Sequence, residues 1–272
     1  MKSRQNIDAG DISISFESFE HDKRACENSS CHEKYEIMYV ISGSGRYILE
    51  GADFPITARS LFLTRPFEYK TLILDEGVSF GRYVIRFSQS ALSSEAADVL
   101  AGIISDASCG GIYYSPGVQH LATEAVFDRA YIAEQLPFRE KGVFLSALLS
   151  ELLSLLSAAT GERLVHSDDS LAARVRQYIN ENIHRDLSLD KLSRRFFVSK
   201  YYLCRAFKQQ NGTSIHNYIN QKRVLYAKQL IEAGETASRA AYKVGFGDYS
   251  AFYRAYMKFQ GVSPTSPKAK GD

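Results

Sequence analysis

Cysteine is scarce in this chain, four residues in 272, and Cys26, Cys31, Cys109 and Cys204 are too few for a disulfide framework at this length. Proline is scarce as well, at six residues, and 45% of the chain is hydrophobic and 24% charged. Such a composition excludes a collagen-like or disordered polymer and describes an ordinary globular protein. The opening stretch, MKSRQNIDAGDISISF, has no apolar core of signal-peptide type. Long hydrophobic runs are missing too. The most apolar stretch, Val143 to Ala159, is broken by Ser146, Ser150, Glu151, Ser154 and Ser157, short of the roughly 20 apolar residues of a membrane helix. These absences together predict a cytoplasmic protein with reduced thiols.

An excess of one charge sign is also missing, since 33 Lys and Arg stand against 31 Asp and Glu. That balance conceals a strong asymmetry. Residues Leu171 to Asp272 carry 18 basic and 7 acidic side chains, which leaves 15 basic and 24 acidic in the first 170 positions. An acidic front joined to a basic back directs the search for a polyanion partner to the back alone.

Length sets an expectation of two domains. Over the first ninety residues, short β-branched and aromatic runs alternate with turn residues. Ile12, Ile14 and Phe16 alternate with polar neighbours, and runs follow at Tyr35 to Ile41, Arg46 to Glu50, Ser60 to Thr64, Thr71 to Leu74 and Arg82 to Phe87. Turns are expected at Ser42 to Gly45 and Glu50 to Asp53, so the pattern predicts a small antiparallel sandwich or barrel. From about Ser88 the period turns helical, with segments at Val118 to Glu134 and Phe138 to Ala159. In the second, Leu145, Leu148, Leu149, Leu152 and Leu156 form one apolar stripe, either packed on its own barrel or shared with a second copy of the chain. Thr160 to Ser170 breaks the pattern and places the domain boundary, giving domains 1–165 and 166–272. Beyond it nearly everything reads as short helices: Leu171 to Asn182, Ser188 to Arg195, Lys200 to Gln210, Ser214 to Glu232, Thr236 to Val244 and Tyr249 to Phe259. Ser188, Ser199, Ser214, Thr236 and Asp248 stand as N-caps, and Gly212 and Gly261 as stops.

An internal repeat lies in this helical part. Leu203-Cys204-Arg205-Ala206-Phe207, then Gly212 and Ser214, recur 49 residues later as Phe252-Tyr253-Arg254-Ala255-Tyr256, then Gly261 and Ser263. Each unit is preceded by another short helix and a tight turn, which is the helix-turn-helix arrangement. Leu192, Phe196, Leu203 and Phe207 can hold the first pair together. Lys200, Tyr201, Cys204, Arg205 and Lys208 are then left for a DNA major groove, with Tyr249, Ser250, Tyr253 and Arg254 in the equivalent places of the second unit. The intervening helix separates the two units by about 28 Å, close to one DNA turn of about 34 Å.

These residues resemble the AraC family of bacterial transcription regulators. The likeness covers about Leu171 to Pro264. It includes Leu187-Ser188-Leu189-Asp190, Tyr202 to Lys208, Gly212-Thr213-Ser214, and the Val244-Gly245-Phe246, Asp248, Ser250, Phe252 block that closes in Gly261, Ser263 and Pro264. The chain departs from the usual pattern at Ala240-Ala241, Ser193 and Thr265 to Lys268. The resemblance implies an α+β chain of two domains: an N-terminal antiparallel, cupin-like β-barrel with helices, and a C-terminal all-α domain with two helix-turn-helix units. It also implies double-stranded promoter or operator DNA, RNA polymerase and a small-molecule effector as partners, a homodimer, activation more often than repression, and no catalytic residue.

In the front half, Ser30-Cys31-His32-Glu33-Lys34-Tyr35-Glu36 followed by Gly43 resembles the first cupin motif. A catalytic cupin holds a metal with two His, a Glu and a later His. Here the first His position is Ser30 and the later one is Lys70, so neither a metal nor another cofactor is expected. Cys26, Cys31 and His32 lack a fourth zinc ligand. The effector candidates are His32, Glu36, Lys70 and Arg82. Arg82, Val84 and Arg86 share one strand face opposite Tyr83, Ile85 and Phe87. The arginines face solvent if the aromatic face is the core, and Arg82 can hold an anionic effector if that face is covered by helices. The competing readings are a metal-dependent cupin enzyme with an accessory helical domain, and a protein-binding adaptor.

Overall fold

The computed structural model describes residues 3–20, 26–105, 112–114, 123–159, 163–164 and 170–265. The chain divides into two compact units, Met1–Asp168 and Asp169–Asp272. The Cys109 position and most of the expected boundary segment, 160–170, lie outside the described residues, as does the Cys26 side chain.

The first unit is built on strands β1 (Ser3–Asp8), β2 (Ile12–Glu20), β3 (Cys26–Ser30), β4 (Tyr35–Ser42), β5 (Gly45–Leu49), β6 (Ala52–Ile56), β7 (Leu61–Thr64), β8 (Lys70–Leu74), β9 (Ser79–Phe87), β10 (Ile112–Tyr114) and β11 (Arg163–Leu164). They pair antiparallel in two sheets, ordered β1-β2-β9-β4-β7-β10-β11 and β3-β8-β5-β6. The expected barrel is thus two facing sheets instead of one closed cylinder. Met38, Val40, Phe62 and Val84 of the larger sheet meet Tyr47, Leu49, Phe54 and Leu72 of the smaller in one core. The other face of the larger sheet carries Ile37, Tyr39, Leu61, Tyr83, Ile85 and Phe87 against helices. Strand β4 reads as a continuous apolar run because both of its faces are covered.

The covering helices are α1 (Ser94–Ser105), α2 (Thr123–Arg129), a 3₁₀ segment (Ala130–Gln135) and α3 (Phe138–Ala158). The expected helix from Val118 therefore begins at Thr123 among the described residues and tightens after Arg129, while 118–122 lie outside them. The α3 leucines at 145, 148, 149, 152, 153 and 156 are all buried in this core. Among the described residues α3 is the one helix long and apolar enough, by length and composition, to cross a membrane, and this packing covers its leucine stripe. The expected turn at Glu50 to Asp53 is shorter than read. Only Glu50 and Gly51 take positive φ, 43° and 78°, a tight two-residue hairpin, and Ala52-Asp53 already belong to β6.

The second unit comprises α4 (Leu171–Glu181), α5 (Leu189–Arg195), α6 (Lys200–Asn211), α7 (Ile215–Glu232), α8 (Ala237–Lys243) and α9 (Tyr249–Gln260). The side chains of Ser199, Ser214, Thr236 and Asp248 accept the backbone N–H three residues on, each satisfying an orphan donor of its helix. Ser188 holds the N-cap position of α5 but makes no such bond. Its own N–H donates to Asp186 Oδ1 at 2.9 Å. Gly212 and Gly261 close α6 and α9 in the left-handed conformation, as the sequence predicts.

Candidate nucleic-acid interface and sensor cavity

Leu192, Leu203 and Phe207 are fully buried and lock α5 against α6. Phe196, expected to share that contact, sits half-buried at the end of α5. Its ring meets Tyr178 of α4 edge-on at 5.8 Å, with the Arg174 guanidinium 5.9 Å away. In the second unit Phe252, Ala255 and Tyr256 of α9 pack with Ala240 and Ala241 of α8 and with Val224 and Ala227 of α7. Helix α7 is the shared strut: Tyr218 lies 5.5 Å from Phe207 on one side, and Arg223 lies over Phe246 on the other. The Arg223 guanidinium also donates to the carbonyls of Ile183 (2.9 Å) and Arg185 (2.6 Å), tying the α4–α5 loop to the second helix pair.

With those faces buried, the outward side of α6 presents Tyr201 and Tyr202, 76% and 56% exposed, together with exposed Arg205 and Lys208; Cys204 is half-buried. Lys200 pairs with Asp190 at 2.6 Å, an exposed pair that a phosphate can replace at little cost. On α9 Ser250, Tyr253 and Arg254 are exposed and Tyr249 is half-buried, its ring 5.7 Å from Phe252. Arg205 and Arg254 thus project from equivalent turns of two N-capped helices. The structure also brings Lys258, His216 and Asn220 beside Arg254, lining a cleft of about 730 Å³ between the helix pairs. Lys258 Nζ donates to Asn217 Oδ1 across it at 3.2 Å. Neither Lys258 nor His216 repeats at the 49-residue offset, so the repeat carried no signal for them.

The two turns are not copies. In both, a left-handed residue ends the first helix: its N–H reaches the carbonyl three back, and the next N–H the carbonyl five back. The left-handed residue is Phe197 (φ 55°) in one and Gly245 (φ 95°) in the other, 48 residues apart, whereas the N-caps Ser199 and Asp248 are 49 apart. Gly247 is the added residue.

In the first unit, cross-strand register assembles a charged site between the sheets. Ser30 pairs with Lys70, Glu36 with Arg86 and Glu17 with Arg82. Ser30, Glu36, Tyr47, Lys70, Leu72, Arg82 and Arg86 line a cavity of about 160 Å³. Glu36, 2% exposed, is in contact with Lys70 Nζ and accepts from Arg86 Nε at 2.8 Å. Arg82 makes two bonds to Glu17 Oε2, at 3.0 and 2.7 Å. Burial opposes ionisation of Glu36, but the Lys70 and Arg86 cations overcome it and hold the carboxyl well below its usual range. Burial pushes the Lys70 ammonium down, and Glu36 offsets part of that. His32 is not among the lining residues; its Nε2 lies 4.0 Å from Glu36 Oε2. Desolvation of its inner edge, then Lys70, pushes its imidazole below the usual value, so it is neutral at pH 7.

The aromatic face of β9 is the one the helices cover, so Arg82 and Arg86 point between the sheets. Ser30, Tyr47, Leu72 and Arg86 are the lining residues absent from the expected effector set. Arg86 shares the period-2 face with Arg82, which was the legible signal; Tyr47 had none. Three of the four cupin-motif positions, Ser30, Glu36 and Lys70, do converge. A serine and an ammonium among them do not fit a metal centre, and Lys70 places against Glu36 the positive charge that a metal would carry there. Among the described residues no three of His, Cys, Asp and Glu come together to hold a metal ion.

A two-sheet ligand-binding fold joined in one chain to a double helix-turn-helix unit defines a DNA-binding transcriptional regulator. Residues 13–172 match the AraC-like ligand binding domain, and residues 192–269 match a helix-turn-helix domain. The chain belongs to the AraC family. It is 21% identical over 243 residues to the uncharacterized HTH-type transcriptional regulator YfiF of Bacillus subtilis (strain 168), covering 86% of this chain and 76% of that protein. It is 26% identical over 165 residues to the transcriptional regulatory protein HptR of Staphylococcus aureus (strain NCTC 8325 / PS 47), covering 56% of this chain and 63% of HptR. Among solved structures it is similar to ToxT from Vibrio cholerae strain SCE256, at 14% identity and a TM-score of 0.43 over 93% of each chain.

Proposed function

We propose that this regulator is a cytoplasmic homodimer whose first unit senses a small effector and whose second unit reads two adjacent half-sites of promoter DNA. The observation that carries the reading is the pair of exposed arginines, Arg205 and Arg254, at equivalent positions of α6 and α9. An arginine there can reach guanine O6 and N7 in a bidentate contact. Tyr201, Cys204, Tyr249, Ser250 and Tyr253 border the same edges, and Lys200 and Lys208 serve phosphates. The 18 residues of α7 span about 27 Å, which suits successive major grooves on one face of the duplex. The effector reading rests on the cavity lined by Glu36, Lys70 and Arg82, with His32 within 4.0 Å of Glu36. Ligand entry there shifts the balance between DNA-bound and free states by its differential affinity for the two. In this reading the sign is activation, with RNA polymerase as the protein partner, and the chain is not an enzyme. The outward apolar side chains Phe138 and Val143, 63% and 73% exposed, supply a surface for the second copy.

The test is binding of the full chain to genomic fragments it retains in a pull-down, read by fluorescence anisotropy. Arg205→Ala with Arg254→Ala is expected to abolish discrimination between these fragments and random DNA while leaving the circular dichroism spectrum unchanged. Unchanged operator affinity in the double variant overturns the assignment of α6 and α9 as recognition helices.

A further inference from the structure

We propose that the cavity between the two sheets binds a small organic monocarboxylate, seated on Lys70 and Arg86, and that Glu36 is its internal stand-in when the cavity is empty. The proposal rests on the reading of the first unit as the sensor and names the chemistry that the sensor selects.

Charge counting carries the first part. Lys70, Arg82 and Arg86 bring three cations to the cavity. Glu17 is engaged by Arg82, so Lys70 and Arg86 share a single carboxylate, that of Glu36. One positive charge is left over between two apolar sheets, where unbalanced charge is costly and an entering anion gains most. A cation would meet the same excess as repulsion, and a neutral polyol would leave it uncompensated. Hydrogen-bond geometry agrees. The Arg86 guanidinium is a fork of donors of which Nε is used by Glu36, and its planar shape suits a second carboxylate. The Tyr47 hydroxyl lines the same space, and burial keeps it protonated and able to donate.

Size and lining carry the second part. A cavity of about 150 Å³ is enough to hold a benzene ring, so about 160 Å³ sets the scale of the ligand at about one six-membered ring. Leu72 and the Tyr47 ring supply an apolar wall for it. A dicarboxylate or a phosphate ester would overshoot the single charge in excess.

The test is thermal denaturation and calorimetric titration of the full chain with benzoate and hexanoate, against benzamide, hexanamide and benzylamine as matched neutral and cationic shapes. The carboxylates are expected to bind saturably and raise the melting temperature, and the amides and the amine to have no effect. In Glu36→Gln the stand-in is removed, so benzoate affinity is expected to rise at least about tenfold; in Arg86→Met it is expected to fall at least about tenfold. Should Glu36→Gln fail to fold, Arg86→Met decides, because Arg86 is partly exposed and its loss leaves Lys70 on Glu36. Equal binding of amides and carboxylates, no binding of any carboxylate, or affinities unchanged in the folded variants overturns the proposal. Operator binding by the same ligand-free preparation is measured in parallel. Its loss would count against the regulator reading, and its retention beside a failed titration against the carboxylate site alone.

Discussion

The two turns of the DNA-binding unit make a controlled comparison, because the same left-handed position is filled by phenylalanine in one and glycine in the other. A side chain in that conformation costs about 1–2 kcal/mol from contact between Cβ and the following carbonyl. Phe197, 94% exposed, recovers nothing through burial. Replacing it with glycine removes that cost but adds about 0.5–1 kcal/mol of chain entropy to the unfolded state, so Phe197→Gly is expected to stabilise the unit by about 0.5–1 kcal/mol. At 4–8 °C per kcal/mol for a domain of 60–100 residues, melting should rise by roughly 2–8 °C. At Gly245 the reverse exchange meets both strain and matter. A Cβ there would lie 2.8 Å from Arg223 Nη2 and 2.8 Å from the His184 carbonyl oxygen. Gly245→Ala is therefore expected to destabilise by about 2–3 kcal/mol. Circular dichroism melting reads the size of each effect, and amide hydrogen exchange in α5, α6, α8 and α9 assigns it to this unit, since two units can melt separately. A lower melting temperature for Phe197→Gly, or a tolerated Gly245→Ala, would refute the reasoning that both turns are governed by left-handed strain and the space around Cβ.

Two further outcomes follow from caps and charge. Ser199→Ala and Asp248→Ala each delete a cap bond, of 3.2 and 2.7 Å. Urea denaturation should show each losing about 1 kcal/mol, whereas Ser188→Ala, with no side-chain cap bond, loses less than about half of that. Glu36 has a folded-state pKa depressed from its usual 4.5 by Lys70 and Arg86. The stability it contributes is present above that usual value and is lost as pH falls below it toward the depressed folded value. Melting temperature against pH is expected to fall on acidification in the native chain and to fall less steeply in Glu36→Gln; parallel curves would remove Glu36 as the source.

The helical half was largely legible because its signals are local. Caps, left-handed glycines and 3.6-residue periodicity act within one or two turns, and duplication printed them twice, 49 residues apart. Helix positions accordingly agree to within a residue or two from Leu171 onward. Local signals were weaker in the first unit. Ser3–Asp8, Cys26–Ser30 and Ile112–Tyr114 are edge or short strands with little alternation, and α1 fell within the helical period expected from about Ser88 without bounds of its own. The one-residue difference between the two turns was also hidden, since Gly247 is extra only relative to a backbone path that the first turn defines.

By itself the sequence determined the class of protein: an acidic strand-rich half, a basic helical half, and a repeated helix-turn-helix pattern that resembles one family of regulators. It also determined that Arg82 and Arg86 share a face of β9, since side chains alternate along any strand. Which face turns inward was decided only in three dimensions. Both faces of the larger sheet are covered, one by α1 to α3 and one by the smaller sheet, and alternation alone cannot tell a helix-covered face from a sheet-covered one. Register across four strands then brought Ser30, Glu36, Lys70, Arg82 and Arg86 to one cavity. Sites of that kind depend on pairing between distant segments, and so the chemistry of the sensor belongs to the tertiary structure although each of its residues was visible in the chain.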